Sequence, residues 1–282
     1  MQGGQLAAAP APAAAPVSEA AELAFVAAQR SEQLRRILLP LAGGATLLLV
    51  WWALVEIFQV KPFIAPAPQV VARTLYDKFG LLMSNLAPTA MEAIGGFVLG
   101  NFAAILTAAV FVHSRNVEQA FFPVAVLINS IPVVAKAPIL VLLLGNGLAP
   151  KIAIAAIICY FPTLVNMVRG LQAVSPQAME LMHVLSASRA EVFFKLRVPS
   201  SLPFLFSALK IATSTATVGA IVGEWIGSQI GIGALIIQAT YNFDSALLYA
   251  TVLCGSAFSV MFFLAIRAIE LWVVRWETGV TA

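Results

Sequence analysis

A chain of 282 residues with 61% apolar and 10% charged side chains is too poor in charge for a soluble domain, where about a quarter of residues are charged. With a mean hydropathy of +0.93 it reads as a polytopic membrane protein, and its net charge of +3 is too small to suggest a nucleic-acid partner. The basic residues are better used as orientation markers.

Residues 1–36 form a first segment, dominated to about residue 29 by Ala with Pro and Glu. Such tracts rarely pack, so the segment reads as disordered, with room for a short amphipathic helix around 18–36. It has no basic n-region and is not a secretory signal. The first span follows Arg30, Arg35 and Arg36 and runs from about Ile37 to Phe58. Its exit lacks a small-residue cleavage pattern, so it stays as an anchor. Residues 59–87 mix prolines with helical periodicity, which suggests a surface-lying helix. Spans follow at about Thr89–Val112, Ala120–Leu144 (broken by Pro132 and Pro138), Ile152–Val168, Pro203–Val222 and Ala246–Val274. Each is near the ~20 residues that ~30 Å of hydrocarbon requires. The fold class is all-α, with a six-span domain over 37–276 and a short tail at 277–282.

Six spans put both termini on one side. With the N-terminus inside, the cytoplasmic flanks collect Arg30, Arg35, Arg36, Arg115, Arg169, Arg189, Lys195, Arg197 and Arg275, against Lys61, Arg73, Lys78 and Lys151 outside. That asymmetry favours a cytoplasmic N- and C-terminus. The polar loop 175–203, SPQAMELMHVLSASRAEVFFKLRVPSSLP, is then cytoplasmic as well.

This loop reads as two short helices with a hinge. Ser175 before Pro176 is an N-cap with Pro at the first helical position, and Leu181, Val184 and Leu185 share a face of the helix that follows. Ser188 and Glu191 make a capping box that restarts a helix, in which Glu191 and Lys195 form a favourable i,i+4 pair. Pro199 ends that helix and Pro203 starts the next span. An apolar stripe on a charged rim suits docking into a groove on another protein; amphipathic helices also lie on headgroups, and periodicity does not separate the two.

The loop resembles the EAA motif of ABC importer permeases: Glu-Ala-Ala, three residues, Gly, nine residues, then Ile-x-Leu-Pro. Glu180 stands at the Glu and Pro199 at the final Pro, with the spacing kept. Leu181 and Met182 replace the two Ala, Ser186 replaces the hinge Gly, and Leu196 and Val198 replace the Ile and Leu. The resemblance runs from about residue 64 to 276. IPVVAKAPILVLLLGNGLAPK and VGAIVGEWIGSQIGIGALI resemble permeases of the nitrate, sulfonate, taurine and bicarbonate group, which also includes importers of pyrimidine vitamin precursors and riboflavin.

The resemblance implies a type I importer permease of the bacterial inner membrane, not itself an enzyme. Two permease copies, as a homodimer, would form the pathway through the bilayer, and a cytoplasmic ATPase dimer would dock on Glu180, Leu181, Met182, Leu185, Ser186, Ala187, Ser188, Leu196, Val198 and Pro199. A periplasmic or lipid-anchored binding protein would deliver the solute. The chain has no G-x-x-x-x-G-K-[ST] loop to hold nucleotide phosphates, so ATP belongs to the partner and no cofactor is expected here.

Lys136, deep in the third span, is a candidate solute contact, since intramembrane charge usually faces a cavity or a partner such as Glu224. Thr213, Ser214, Thr215 and Thr217 suit close helix packing first and pathway lining second, and Glu224 begins a polar turn at the outer end. Arg267 and Glu270 read as an interfacial ion pair. Cys159 and Cys254 sit in apolar runs as small buried hydrophobes. His113 and His183 form no metal or catalytic set, and no G-x-S-x-G elbow exists. The competing reading is a stand-alone secondary transporter, which would show inverted repeats with paired broken helices. No such repeat is evident.

Overall fold

The computed structural model describes residues 19–274 of the chain, with side chains from residue 38 onward besides Glu32 and Arg35. Residues 1–18, half of the expected disordered segment 1–36, and the tail 277–282 lie outside the described residues; the other half of that segment, from Glu19, is helical. The described residues contain helices and no strand, and they divide into two units at residue 59.

The first unit is one helix, α1 (Glu19–Ile57). Its Leu38–Ile57 stretch is 20 residues long and apolar enough to cross a membrane, in agreement with the expected first span.

Among the described residues the second unit holds ten more helices: α2 (Pro68–Asp77), α3 (Phe79–His113), α4 (Arg115–Ser130), α5 (Val133–Leu144), α6 (Leu148–Gln172), α7 (Pro176–Val184), α8 (Arg189–Val192), α9 (Val198–Glu224), α10 (Ile232–Tyr241) and α11 (Ser245–Val273). A π-helical turn at Phe193–Arg197 joins α8 to α9.

At its centre α3, α6 and α9 pack through small residues, which let backbones approach where no hydrophobic drive exists between helices in lipid. A Cβ on Gly96 would meet the Ile152 carbonyl and the Ala156 amide, both at 2.9 Å, and one on Gly219 would meet the Ala155 Cα at 2.7 Å. Gly95 therefore faces Ile152, Gly96 faces Ala155, Gly100 faces Ala156, and Thr107 bonds Tyr160 at 3.1 Å. Numbers rise together along both helices, so α3 and α6 run parallel. Against α9 the order reverses: Gly170 meets Phe204 and Ser201, while Gly223 meets Lys151.

The parallel α3–α6 pair explains the third span. The chain leaves α3 at one end and must enter α6 at the other, so α4 and α5 together carry it back. They are bent by 98° at their break. Legs of about 24 Å and about 18 Å at ~1.5 Å per residue then reach about 28 Å, close to the hydrocarbon thickness. The break falls at Ile131–Pro132, whereas Pro138 sits inside α5. With α1, this bent pair makes the sixth crossing, and the all-α, six-span expectation holds.

Two boundaries move. The surface helix expected over 59–87 stops at α2, and α3 begins at Phe79 and runs through Pro88. A proline inside a membrane helix removes one ladder bond, which the surrounding protein absorbs. Pro199 likewise does not end a loop helix. The ring of a helical proline clashes with the carbonyl four residues back, here Lys195, which lies within the π turn. There the Val198 amide bonds five residues back to the Phe193 carbonyl, and the wider turn carries the chain on into α9. Pro203 is interior to α9 rather than its start.

Candidate functional site

The loop 175–203 is built by local rules. The Ser175 hydroxyl accepts from the Ala178 amide at 3.2 Å. Ser188 and Glu191 close a capping box, and Lys195 reaches the Glu191 carboxylate at 2.9 Å. Leu181, Val184 and Leu185 are 59%, 81% and 66% exposed, an apolar stripe with no cover among the described residues. Glu180 is exposed, with no ion pair among the described residues.

Ser186 sits in the left-handed region, φ +51°. The Ala187 amide donates to the Met182 carbonyl and the Ser186 amide to the His183 carbonyl, both at 3.0 Å. That is a Schellman closure of α7 with Ser186 at the position that normally takes glycine. The roots of the loop are clamped: the Arg197 guanidinium donates to the Leu171 carbonyl at 3.2 Å, a cation on the last turn of α6 where the helix dipole favours it. His113 stacks near Phe193, centroids 4.8 Å apart, which ties the end of α3 to the π turn.

At the opposite end lies a buried ionic cluster that sequence reading missed. Glu92 of α3 is 0% exposed. Its ion-pair partner is Lys151 of α6, 3.0 Å away, and neither of its oxygens accepts an aligned hydrogen bond. Lys151 also donates to the Ser228 hydroxyl at 2.8 Å. Glu224, equally buried, accepts from the Thr89 hydroxyl at 2.6 Å and from the Gly233 amide at 2.5 Å. The Ile232 amide donates to Thr89 and the Gly231 amide to the Asn85 side chain. A carboxylate is thereby set at the N-terminus of α10, where the dipole favours it. Gly231, φ +123°, is required there, since a Cβ would run into the Glu224 carboxylate.

The signal for this cluster was a lone acid inside the apolar run that contains Glu92. Such a residue demands a partner, and the nearest helix supplies Lys151. Lys151, taken above as an orientation marker, is thus an internal partner.

Glu224 pairs with Thr89 and Gly233 rather than with Lys136. Lys136 is half-buried on α5 and has no ion pair among the described residues. The hydroxyls of Thr213 and Thr215 bond back to carbonyls of their own helix, and Thr215 also lies 3.7 Å from the Cys159 sulfur. The structure therefore does not gather these four residues into one site. Glu270 pairs with Lys210 of α9 at 2.8 Å, not with Arg267, because α9 brings its lysine across from the facing helix.

Beyond the cluster, Asp244 caps α11 through the Leu247 amide at 3.0 Å and pairs with Lys78 at 2.9 Å. Partial burial works against its charge, yet the Leu247 amide and Lys78 hold its carboxyl below the ordinary 3.8. A cavity of about 1020 Å³ opens between α3, α4 and α6, lined by Phe102, Phe121, Tyr160 and Phe161 with Thr107 and Asn129 and no charged side chain. Among the described residues no set of three His, Cys, Asp or Glu is grouped to hold a metal.

Residues 81–276 match the family described as "Binding-protein-dependent transport system inner membrane component". The chain belongs to this family. It is 33% identical to the riboflavin transport system permease of Chloroflexus aurantiacus, over 83% of this chain and 88% of that one. It is 32% identical to the formylaminopyrimidine transport permease of Halalkalibacterium halodurans, over 82% and 93%. A structure of the MetNI methionine ABC transporter in an inward-facing conformation shares the fold, with a TM-score of 0.55 at 16% identity over 73% of this chain and 97% of that one. This permease is the membrane-spanning subunit of an ABC importer and not itself an enzyme.

Proposed function

We propose that two copies of this permease build a solute pathway, that a cytoplasmic ABC ATPase dimer docks on residues 175–203, and that both termini face that ATPase. A periplasmic or lipid-anchored binding protein delivers the solute from the other side. The observation that carries this reading is the loop. It is a rigid, doubly capped protrusion with an uncovered apolar stripe, clamped to α6 through Arg197 and continuous with α9. A push on such a lever is transmitted to the span rather than absorbed by a flexible link.

Glu180→Ala with Leu185→Asp places a charge where an apolar contact is needed. In vesicles holding the assembled transporter, this variant is expected to lose ATP-driven uptake while still inserting in the membrane. Uptake by the purified chain without an ATPase, driven by an ion gradient, would establish the secondary-transporter reading instead.

The solute proposed is a small planar heterocycle of the vitamin-precursor kind. The two relatives above support it, as does the aromatic, uncharged cavity with hydroxyl and amide groups, a lining suited to a flat polar-edged ring. Riboflavin and formylaminopyrimidine are the probes, with an alkyl sulfonate as the anionic control; uptake of the sulfonate alone would reverse the choice. Lys136, half-buried and unpaired, is proposed as a pathway contact, with Thr213, Thr215 and Glu224 as weaker candidates. Lys136→Met is expected to lower uptake at least tenfold with ATPase docking unchanged, and an unchanged rate would return Lys136 to a structural role.

A further inference from the structure

The buried cluster at the end opposite loop 175–203 does not balance in charge. Glu92 is 0% exposed and Glu224 1%, and Lys151 is the one cation paired with either of them among the described residues. Of the other charged groups, Lys78 is taken up by Asp244 and Lys210 by Glu270, and Lys136 lies on α5 without an ion pair. α10 brings backbone amides to the cluster, and the turn before it brings the Ser228 hydroxyl, which goes to Lys151. Two acids therefore share one counter-charge.

Thr89 and Glu92 lie one turn apart on α3 and meet α9 together. The Thr89 hydroxyl donates to Glu224 at 2.6 Å, and the Glu92 carboxyl is within hydrogen-bonding reach of the Glu224 carboxyl. Neither Glu92 oxygen has a donor aligned on it. Two ionised carboxylates offer each other only acceptors, and like charges at such range do not both ionise in a buried site. One proton removes both faults. It supplies the missing donor, and it leaves Lys151 facing a single negative charge.

That charge has two good seats. Glu92 lies beside the Lys151 ammonium, and Glu224 stands at the N-terminus of α10, where the helix dipole favours an anion. The place between them belongs to the proton, and the two acids titrate as a pair. A water bridging the carboxylates would satisfy their oxygens and still leave the excess charge buried, which is costly.

We propose that Glu92 and Glu224 form a proton-binding site, holding one proton between α3 and α9. With the proton bound the knot is neutral, and α10 seats its first amides on Thr89 and Glu224. Release of the proton to solvent sets two negative charges face to face across the α3–α9 contact.

Infrared spectroscopy reads the proton directly, on the purified permease alone, so the outcome does not depend on where the ATPase docks. In a maltoside detergent, which has no carbonyl of its own, the protein at neutral pH is expected to show the C=O stretch of an un-ionised carboxylic acid. The band is expected to shift in heavy water and with isotope-labelled glutamate, and not with labelled aspartate. Glu92→Gln and Glu224→Gln each keep the side-chain size and leave Lys151 a single acid, so each is expected to abolish the band. Thermal unfolding gives a second readout. Unfolding exposes both acids to water, where they are ionised at neutral pH. It therefore releases the proton, and the parent is expected to lose stability as pH rises through neutrality. Glu224→Gln has no such proton to release and is expected to flatten that dependence by one proton. A parent without an acid band at neutral pH would overturn the proposal, and so would a band that survives in both Gln variants.

Discussion

The two ends of this permease are held by different physics. At the loop end the contacts that shape the two short helices are local, caps within three residues, an ion pair at i,i+4 and a helix closure at the end of α7, and only the root is tied further off, by Arg197 to Leu171 and by His113 beside Phe193. No residue of α7 or α8 is buried. At the opposite end the contacts join residues far apart in sequence, as in Thr89–Glu224, Glu92–Lys151 and Lys78–Asp244, with the first two pairs almost wholly buried. The loop end is thus a self-supporting lever that leaves its apolar face free for a partner. The other end is a knot tying α3, α6, α9 and α10, and it is expected to loosen as a unit if one member is removed.

The test with the largest expected effect cuts that knot. Lys151→Met leaves the Glu92 carboxylate buried without its counter-charge. Removing one partner of a buried pair costs about 3–5 kcal/mol, far more than the intact pair contributes. Thermal unfolding in detergent is expected to register this as a large loss, and Glu92→Gln added to Lys151→Met is expected to recover much of it. Lys195→Met, which breaks the exposed pair with Glu191, is expected to cost at most about 0.5 kcal/mol. Equal losses in the two single variants would erase the contrast between the ends.

That contrast also explains what the sequence made legible. Six spans, the N-cap at Ser175, the capping box at Ser188 and the Glu191–Lys195 pair are period or spacing signals, and each is present in the structure. Pro132 was visible as a break because a proline interrupts the ladder wherever it falls; that Pro88 and Pro203 would be absorbed was not, since this depends on neighbouring helices. The Glu92–Lys151 pair spans 59 positions between two helices whose parallel packing rests on Gly96 and Gly100 against Ala155 and Ala156. No local window holds both members. Lys210–Glu270 escaped for the same reason, and the adjacent Arg267 drew the assignment because it was near in sequence.

A finer comparison lies in two Schellman closures, the one at Ser186 and one after α10, where the Phe243 amide donates to the Thr240 carbonyl and the Asp244 amide to the Ala239 carbonyl; Ser186 and Phe243 both occupy a left-handed position. An L-residue there costs about 1–2 kcal/mol, and glycine gives back about 0.5–1 kcal/mol of that through its greater freedom when unfolded. Ser186→Gly is therefore expected to stabilise the α7 closure by roughly 0.5–1 kcal/mol. The closure opens locally, so hydrogen exchange reads it better than global unfolding; the Ser186 and Ala187 amides are expected to exchange about two- to fivefold more slowly. Ser186→Val, β-branched and poorly suited to positive φ, is expected to exchange faster than the parent. Since the apolar stripe of Leu181, Val184 and Leu185 is untouched, ATPase docking is expected to hold in Ser186→Gly. If Ser186→Gly impaired ATPase docking, Ser186 would have to touch the ATPase directly, and the loop would be more than a lever.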